Sequence, residues 1–241
     1  AAECASGACV SGICCYRHSA TGTYCGTFVS VLPSELSVSE TGATPDDGLD
    51  DSAAIQLAIN QAKASGKTTV RLSGGVYLVS NSLTIPSSIA LVGADSTTRP
   101  TTLRATTASP MVVLTNNPGS SWKTSIRRIT FDGAGIASAG IEFAEAIFTT
   151  IRDNRFIAFG EGASAIKGGG AIYMNIVGNV FDAFAGYAAS LLGEFSSYPT
   201  VPYAGINVGA FSGNTVRARM GVRFQGGLEF ENNVFDLELD G

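Results

Sequence analysis

Apolar and polar residues alternate over short stretches along most of the chain. From residue 69 onward these stretches are bounded by turn residues such as Gly74-Gly75, Asn81-Ser82 and Pro86-Ser87. A period of two is typical of half-buried strands, so the pattern predicts many short strands joined by tight turns. We therefore expect an all-β fold.

A helical pattern interrupts the strands once, over residues 51–65. The apolar residues near helical spacing are Ile55, Leu57, Ala58, Ile59 and Ala62. Asp46, Asp47, Asp50 and Asp51 precede this segment, and we interpret them as groups that cap the free helix amides. A calcium site is the alternative, although no clear calcium motif supports it.

A repeat of the form Ile-x-x-Asn-x-Phe fills the second half of the chain. Its copies begin at Ile126, Ile151, Ile176, Phe211 and Phe230. Their fourth positions, Ile129, Asn154, Asn179, Asn214 and Asn233, are separated by 25, 25, 35 and 19 residues. Such spacing predicts a solenoid with variable turns, in which the asparagines form a structural ladder along one corner.

The 35-residue interval predicts an insertion at residues 192–205. Long loops on rigid scaffolds often hold functional residues, so Glu194, Tyr198 and Tyr203 are candidates for substrate binding.

The same alignment places charged residues in outward columns. The strands Gly-Ile-Glu-Phe, Ala-Ile-Lys-Gly and Gly-Val-Arg-Phe are equivalent, so Glu142, Lys167 and Arg223 are predicted to share one column. Glu142 and Lys167 on neighbouring coils can also be read as a surface ion pair without catalytic function.

A second predicted column is more easily interpreted as structural. It holds Asp132, Ile157, Asp182, Arg217 and Asp236. Arg217 stands between two carboxylates there, which favours a charge ladder. We interpret Asp153, expected beside Arg128, in the same way.

The five cysteines all lie within the first 25 residues, at Cys4, Cys9, Cys14, Cys15 and Cys25. Their spacing does not fit paired zinc ligands, so we expect a disulfide-rich module over residues 1–30 in an oxidising compartment. The connectivity stays open and one thiol is left over. The only histidine, His18, is also in this module, which excludes a Ser-His-Asp triad or a multi-histidine metal site in the main body.

Composition narrows the classes of function. The 241 residues are 45% hydrophobic and 15% charged, with a net charge of −5, so a nucleic-acid partner is not expected. No apolar run is long enough for a membrane span. The opening Ala-Ala-Glu-Cys resembles a signal-peptidase product, which predicts a protein that is secreted or held at the cell surface.

Residues 42–94 resemble the opening of the pectate-lyase-like superfamily, which includes epimerases and phage tailspikes. The matching motifs are Asp50-Asp51, Ala53-Ala54-Ile55-Gln56, Gly75-Val76-Tyr77 and Leu91-Val92-Gly93. The resemblance implies a right-handed, single-stranded parallel β-helix over residues 31–241. It also implies that the helix at 51–65 plugs the N-terminal end of this solenoid.

The resemblance further implies a groove for an acidic polysaccharide, with no cofactor. A lyase or epimerase of this kind needs a cation beside the uronate carboxylate and a base for its C5 proton. Lys167 and Arg223 are the candidates, with Glu142 holding Lys167 or acting as an acid. Glu145 and Tyr173 are expected nearby as substrate-binding residues. The hydrolase signatures Asn-Thr-Asp, Asp-Asp, His-Gly and Arg-x-Lys are absent from the body of the predicted solenoid, after the helix, which disfavours polygalacturonase chemistry.

A non-catalytic protein is the alternative. The last predicted coil, ending in Phe-Asp-Leu-Glu-Leu-Asp-Gly, shows no pattern for a cap. We expect either further chain or a second subunit stacked head to tail to cover it, with self-association through this coil or the cysteine module.

Overall fold

The computed structural model describes residues 9–10, 13–18, 22–27, 34–115, 123–144, 146–192, 206–224 and 226–236. The chain divides into two compact units, Ala1–Ser34 and Glu35–Gly241.

The first unit contains an antiparallel sheet in the order β1-β2-β3. Its strands are β1 (Cys9–Val10), β2 (Ile13–His18) and β3 (Gly22–Thr27). The backbone register places Cys9 opposite Cys14 and Cys15 opposite Cys25. Their disulfide bonding stays a prediction, and Cys4 lies outside the described residues.

The second unit is a parallel β-helix, as the repeat predicts, whose coils each pass through three faces. Face 1 comprises β4 (Glu35–Ser37), β5 (Thr69–Arg71), β8 (Ala90–Val92), β11 (Ser125–Arg127), β15 (Thr150–Arg152), β18 (Ala171–Val177), β20 (Ile206–Ser212) and β22 (Gly226–Glu231). The two-residue strand β14 (Ala146–Ile147) also pairs with β18.

Faces 2 and 3 follow face 1 in every coil. Face 2 comprises β6 (Gly75–Val79), β9 (Thr101–Ala105), β12 (Ile129–Asp132), β16 (Arg155–Ile157), the first parts of β19 (Val180–Leu191) and β21 (Thr215–Phe224), and β23 (Val234–Phe235). Face 3 comprises β7 (Leu83–Pro86), β10 (Val112–Thr115), β13 (Ala139–Phe143), β17 (Ser164–Gly168) and the second parts of β19 and β21.

The interior is filled by the apolar positions of the alternating pattern. Phe131, Phe156 and Phe181 stack on consecutive coils with ring centroids 5.0 Å apart, and Phe211 continues the stack at 5.9 Å from Phe181. All four rings are fully buried. The final Phe of the repeat is therefore a core residue, and its 25-residue period reflects one coil of the solenoid.

The corner between faces 1 and 2 carries the asparagines of the repeat. The side-chain Oδ1 atoms of Asn154, Asn179, Asn214 and Asn233 each accept the backbone N–H one coil earlier, at 2.9–3.1 Å. Their Nδ2 groups donate to backbone carbonyls, at 2.7–3.0 Å. Turn amides that would otherwise be buried without partners are thereby satisfied.

The residue before each position of this corner has a left-handed backbone. Gly178 and Gly213 adopt it with φ of 65° and 61°, and glycine does so without steric cost. On the two preceding coils the position is held by Arg128 and Asp153, with φ of 59° and 57°. Residues other than glycine rarely adopt this left-handed backbone conformation.

The predicted helix is α1 (Ser52–Ala64), which packs against the first coil with Ile55, Ala58, Ile59 and Ala62 buried. The Gln56 side chain donates to the Thr84 carbonyl at 3.2 Å and accepts the Thr84 N–H at 2.8 Å. The Gln56 side chain thus pairs with the backbone groups of Thr84 at the outer edge of β7, the last strand on this side of its sheet. The role of the whole helix as a plug stays a prediction.

The aspartates before α1 fit our interpretation as helix caps only in part. Asp50 accepts the N–H of Ser52, the first residue of the helix, at 3.4 Å, and also the Ser80 N–H at 2.9 Å. Asp51, at the N-cap position, makes no side-chain cap bond and accepts the Thr44 N–H at 2.9 Å instead. Asp46 accepts the Val76 N–H at 2.8 Å, at the edge of β6.

Two further predictions concern the insertion at residues 192–205 and the exposed last coil of this unit. The insertion at 192–205 is described only at residue 192. On the last described coil, Phe224, Phe230, Val234 and Phe235 are exposed. The stacking of another subunit there stays a prediction.

Among the described residues, no helix is long and apolar enough to cross a membrane.

Candidate functional site

The column predicted on face 3 exists, with one difference. Glu142 pairs in register with Lys167, and Lys167 pairs with Ser190. Ser190 then pairs with Arg223, so Lys167 and Arg223 are separated by one coil that the sequence alignment missed. Four consecutive coils therefore present a carboxylate, an amine, a hydroxyl and a guanidinium, at a spacing of about 4.8 Å.

The column residues are held by side-chain contacts. The Lys167 Nζ lies 3.5 Å from the Glu142 Oε2, and both side chains are about one-third exposed. Arg223 donates from Nε to the Ser190 Oγ at 2.7 Å, and its guanidinium lies 4.2 Å from the ring centroid of Tyr187. The stacking and the hydrogen bond orient the planar guanidinium above the face.

This arrangement can hold an anion at one end and exchange a proton at the other. Arg223 offers further N–H donors that suit a carboxylate. Lys167 forms an ion pair with Glu142, so it can take a proton from a substrate only after it has given its own proton away.

Tyr173, predicted to bind substrate, lies on face 1 in an exposed aromatic pair. Its ring stacks on Phe148 with centroids 4.9 Å apart and an interplanar angle of 5°. Both rings are about half exposed, and both backbones are left-handed, with φ near 50°. Sequence reasoning missed Phe148, although it precedes Tyr173 by one 25-residue repeat.

The other predicted substrate-binding residues, Glu145, Glu194, Tyr198 and Tyr203, lie outside the described residues.

The charge ladder on face 2 is present and more complete than the sequence indicates. Asp182 lies between Arg155, with which it forms a short ion pair, and Arg217 at 3.9 Å. Arg217 also approaches Asp236 at 3.8 Å, and Arg104 pairs with Asp132 at 2.7 Å. Opposite charges alternate, which is the arrangement expected of structural pairs.

One expected pair is wrong. Arg128 does not bind Asp153: its Nη1 contacts Asp95 at 2.8 Å, and Asp153 lies 3.7 Å from the Arg152 Nε. Asp95 lies in the segment between β8 and β9, at the corner between faces 1 and 2. This segment brings the Asp95 carboxylate into contact with Arg128, so Arg128 pairs with Asp95 and not with Asp153. Sequence alignment of the coils cannot place this segment, because it lies outside the repeat.

A cleft of about 350 Å³ lies at this corner. We call it the corner cleft; its charged and hydroxyl-bearing lining includes Asp95, Thr130, Asp153, Arg128 and Arg155. Its position between the β8–β9 segment and the corner makes it a second candidate site beside the column on face 3.

Of the arginines on face 1 and its corner, Arg128 lines the corner cleft. Arg127 directly precedes it in the chain, and Arg71 and Arg152 share the outward column of Arg127. We call Arg71, Arg127, Arg128 and Arg152 the arginine cluster. Burial, together with the charges of Arg128, Arg152 and Arg71, lowers the pKa of the Arg127 guanidinium. The signal was present in the repeat, since Arg127 and Arg152 each follow its first Ile.

In the described part of the chain, no three His, Cys, Asp or Glu residues lie close enough together to hold a metal ion.

Burial raises the pKa of the Asp51 carboxyl above its ordinary value, and its Oδ2 has no hydrogen-bond partner.

Comparison with known families supports the resemblance that the motifs indicate. Residues 36–133 match the model of the family described as rhamnogalacturonase A/epimerase, pectate lyase-like. This match, together with the fold, confirms the similarity to the pectate-lyase-like superfamily. A comparison with curated protein sequences found no significant match.

Solved structures with the same fold include a bacteriophage tailspike, another viral protein and a bacterial surface adhesin. The tailspike of an Acinetobacter baumannii bacteriophage, a capsular polysaccharide depolymerase, superposes with a TM-score of 0.61 at 12% identity, over 94% of this chain and 42% of that one. A Geobacillus virus protein gives 0.55 at 20% identity, over 75% and 42%. The surface adhesin PfbA of Streptococcus pneumoniae gives 0.53 at 15%, over 85% and 63%. The chain thus spans about four tenths of the first two proteins, and at these identities the likeness concerns the fold.

Proposed function

We propose that this chain is the β-helix part of an extracellular or cell-surface protein that acts on an acidic polysaccharide by a lyase- or epimerase-like reaction. The observation that carries the proposal is the column of Glu142, Lys167, Ser190 and Arg223 on four consecutive coils. A family match to rhamnogalacturonase and epimerase proteins and a fold shared with a capsular depolymerase support a polysaccharide as the substrate class.

The column supplies the groups that this chemistry needs. Arg223 binds the carboxylate of a uronate residue, which lowers the cost of forming a carbanion beside it. Lys167 passes its proton to Glu142, and the neutral amine then takes the C5 proton. In a lyase the electron pair then forms the C4–C5 double bond, the C4–O bond breaks, and the leaving oxygen takes the proton that Glu142 received. In an epimerase a water molecule gives a proton to C5 from the opposite side, and Glu142 returns its proton to the hydroxide that forms.

The test is to incubate the protein with pectate, alginate and chondroitin in heavy water. Ultraviolet absorbance reports unsaturated products, and NMR reports deuterium at C5 when epimerisation occurs without cleavage. Lys167→Ala should abolish both signals, whereas Lys67→Ala, the same change at a lysine just after α1, should retain them. New reducing ends without unsaturation or deuterium would overturn the proposal in favour of hydrolysis.

A binding protein without turnover is the second candidate, and the existing side-chain contacts favour it. Lys167 is engaged by Glu142, and Arg223 by Ser190 and Tyr187. Retention of the polysaccharide without any chemical change would support this candidate. Large ordered assemblies in light scattering would instead support stacking through the last described coil, where four large apolar side chains are exposed.

A further inference from the structure

We propose that the arginine cluster and the corner cleft together bind a saccharide that carries one anionic group, at a site separate from the column on face 3. The anionic group is a carboxylate, a sulfate ester or a phosphate ester, all of which present oxygens to guanidinium groups in the same way. This inference does not depend on any reaction at Lys167.

The arginines are brought together by the register of face 1. Arg71, Arg127 and Arg152 occupy one outward column, with Val92 between the first two. Arg127 and Arg152 are thus one coil apart, at about 4.8 Å along the stack. Arg128 follows Arg127 directly and turns the chain into the corner cleft. The four arginines therefore lie within four consecutive coils, with Arg127, Arg128 and Arg152 on two adjacent ones.

Carboxylates neutralise this cluster incompletely. Arg71 pairs with Glu35 and Arg128 with Asp95, both at 2.8 Å, and Arg152 has a longer contact of 3.7 Å with Asp153. In the described part of the chain no carboxylate lies within ion-pair distance of Arg127. The Nε atoms of Arg127 and Arg128 are buried and have no hydrogen-bond partner.

This crowding of positive charges lowers the stability of the folded chain when no anion is bound to it. The chain carries a net charge of −5, so carboxylates are available to it, yet none of those in the described residues lies close enough to pair with Arg127. Arg128 and Asp153 also hold left-handed conformations that the next two coils assign to glycine. Unneutralised charge and strained backbone at one place are typical of binding sites.

The corner cleft supplies the room for a sugar ring beside the cluster. Its volume of about 350 Å³ lies within the range of small-molecule sites. Asp95 and Asp153 line it together with Thr130, and these oxygens suit sugar hydroxyl groups. Carboxylates next to arginines favour a saccharide with both hydroxyls and a single anionic group over a bare inorganic anion.

The test measures binding of glucuronate, glucose 6-sulfate and glucose 6-phosphate by calorimetry at constant ionic strength, with glucose and sodium sulfate as further probes. At least one anionic sugar should bind more tightly than both glucose and sulfate, and the three arms identify the anionic group. Arg127→Gln should weaken that binding about tenfold or more, because it removes a charge-assisted contact. Arg104→Gln, on face 2, should leave it within twofold.

Thermal unfolding without ligand gives a second readout. Arg127→Gln should raise the midpoint because it relieves repulsion, whereas Arg104→Gln should lower it because Asp132 loses its partner. Unchanged binding in Arg127→Gln, or no binding of any anionic sugar by the wild-type protein, would overturn the inference. The outcome is separate from that of the cleavage assay, because neither Arg127 nor the lining of the corner cleft belongs to the column on face 3.

Discussion

Two columns of side chains run side by side along the corner between faces 1 and 2. The inner one is the buried ladder of Asn154, Asn179, Asn214 and Asn233, and the outer one contains the arginine cluster. In the inner column four consecutive coils repeat the same residue and the same pattern of hydrogen bonds. In the outer column the residue changes from Arg71 to Val92, Arg127, Arg152 and Val177 along the stack.

The difference follows from what each column must satisfy. Buried amides have no water to bind, so one residue type that both donates and accepts is required on each coil. Outward side chains meet solvent and tolerate many residue types. A local concentration of one charge there is consequently a sign of function, whereas repetition inside is a sign of folding. The following substitutions test this distinction.

Phe156→Ala should have the largest effect, because the ring is fully buried between Phe131 and Phe181. Removing a buried Phe costs about 3–5 kcal/mol of unfolding free energy, which urea denaturation measures. Phe148→Ala is the matched control: this ring is also stacked on a neighbour but is half exposed, so its loss should cost less than about 1 kcal/mol. Equal losses in the two variants would contradict the assignment of inside and outside.

Asn179→Ala should come second, with a loss of about 2–4 kcal/mol. The substitution leaves the Asn154 N–H without its acceptor and the Ile151 carbonyl without a donor, both in the interior. Asn233→Ala, at the last described coil, should cost less because solvent reaches that position. Hydrogen exchange at the Asn154 amide should accelerate in Asn179→Ala; unchanged protection there would show that the ladder is dispensable.

Asp182→Asn should have the smallest effect, about 1 kcal/mol or less, because Arg155 and Arg217 are both more than half exposed. Its loss of stability should shrink as salt is added, since screening weakens surface pairs. The variant should also bind anionic sugars like the wild-type protein. A tenfold change in that binding would show that the alternating ladder of face 2, and not only the arginine cluster, takes part in recognition.

The inner structure was largely predictable from the sequence because its period is strict. The Ile-x-x-Asn-x-Phe copies gave the parallel coils, and the register of Glu142 with Lys167 follows from the 25-residue spacing. The prediction skipped a coil at Ser190, because β19 passes from Asp182 to Tyr187 in five residues where the preceding coil takes seven from Ile157 to Ser164, so the interval from Lys167 shortens to 23 residues. A shorter connection of this kind leaves no mark in the repeat.

The outer contacts were less predictable for a different reason. Asp95 reaches Arg128 from a segment outside the repeat, and Asp46 and Asp50 turn to the edge of β6 although they precede a helix. The sequence offers several N–H groups to which each of these carboxylates could hydrogen-bond. Which of them lies close enough is known only from the folded structure.

The most direct test of the proposed function is product formation from acidic polysaccharides by the wild-type protein and the Lys167→Ala variant. Our account predicts unsaturated products or C5 deuterium from at least one of pectate, alginate and chondroitin, and their loss in the variant. The account would be contradicted if Lys167→Ala retained full activity, or if the wild-type protein changed none of the three polymers.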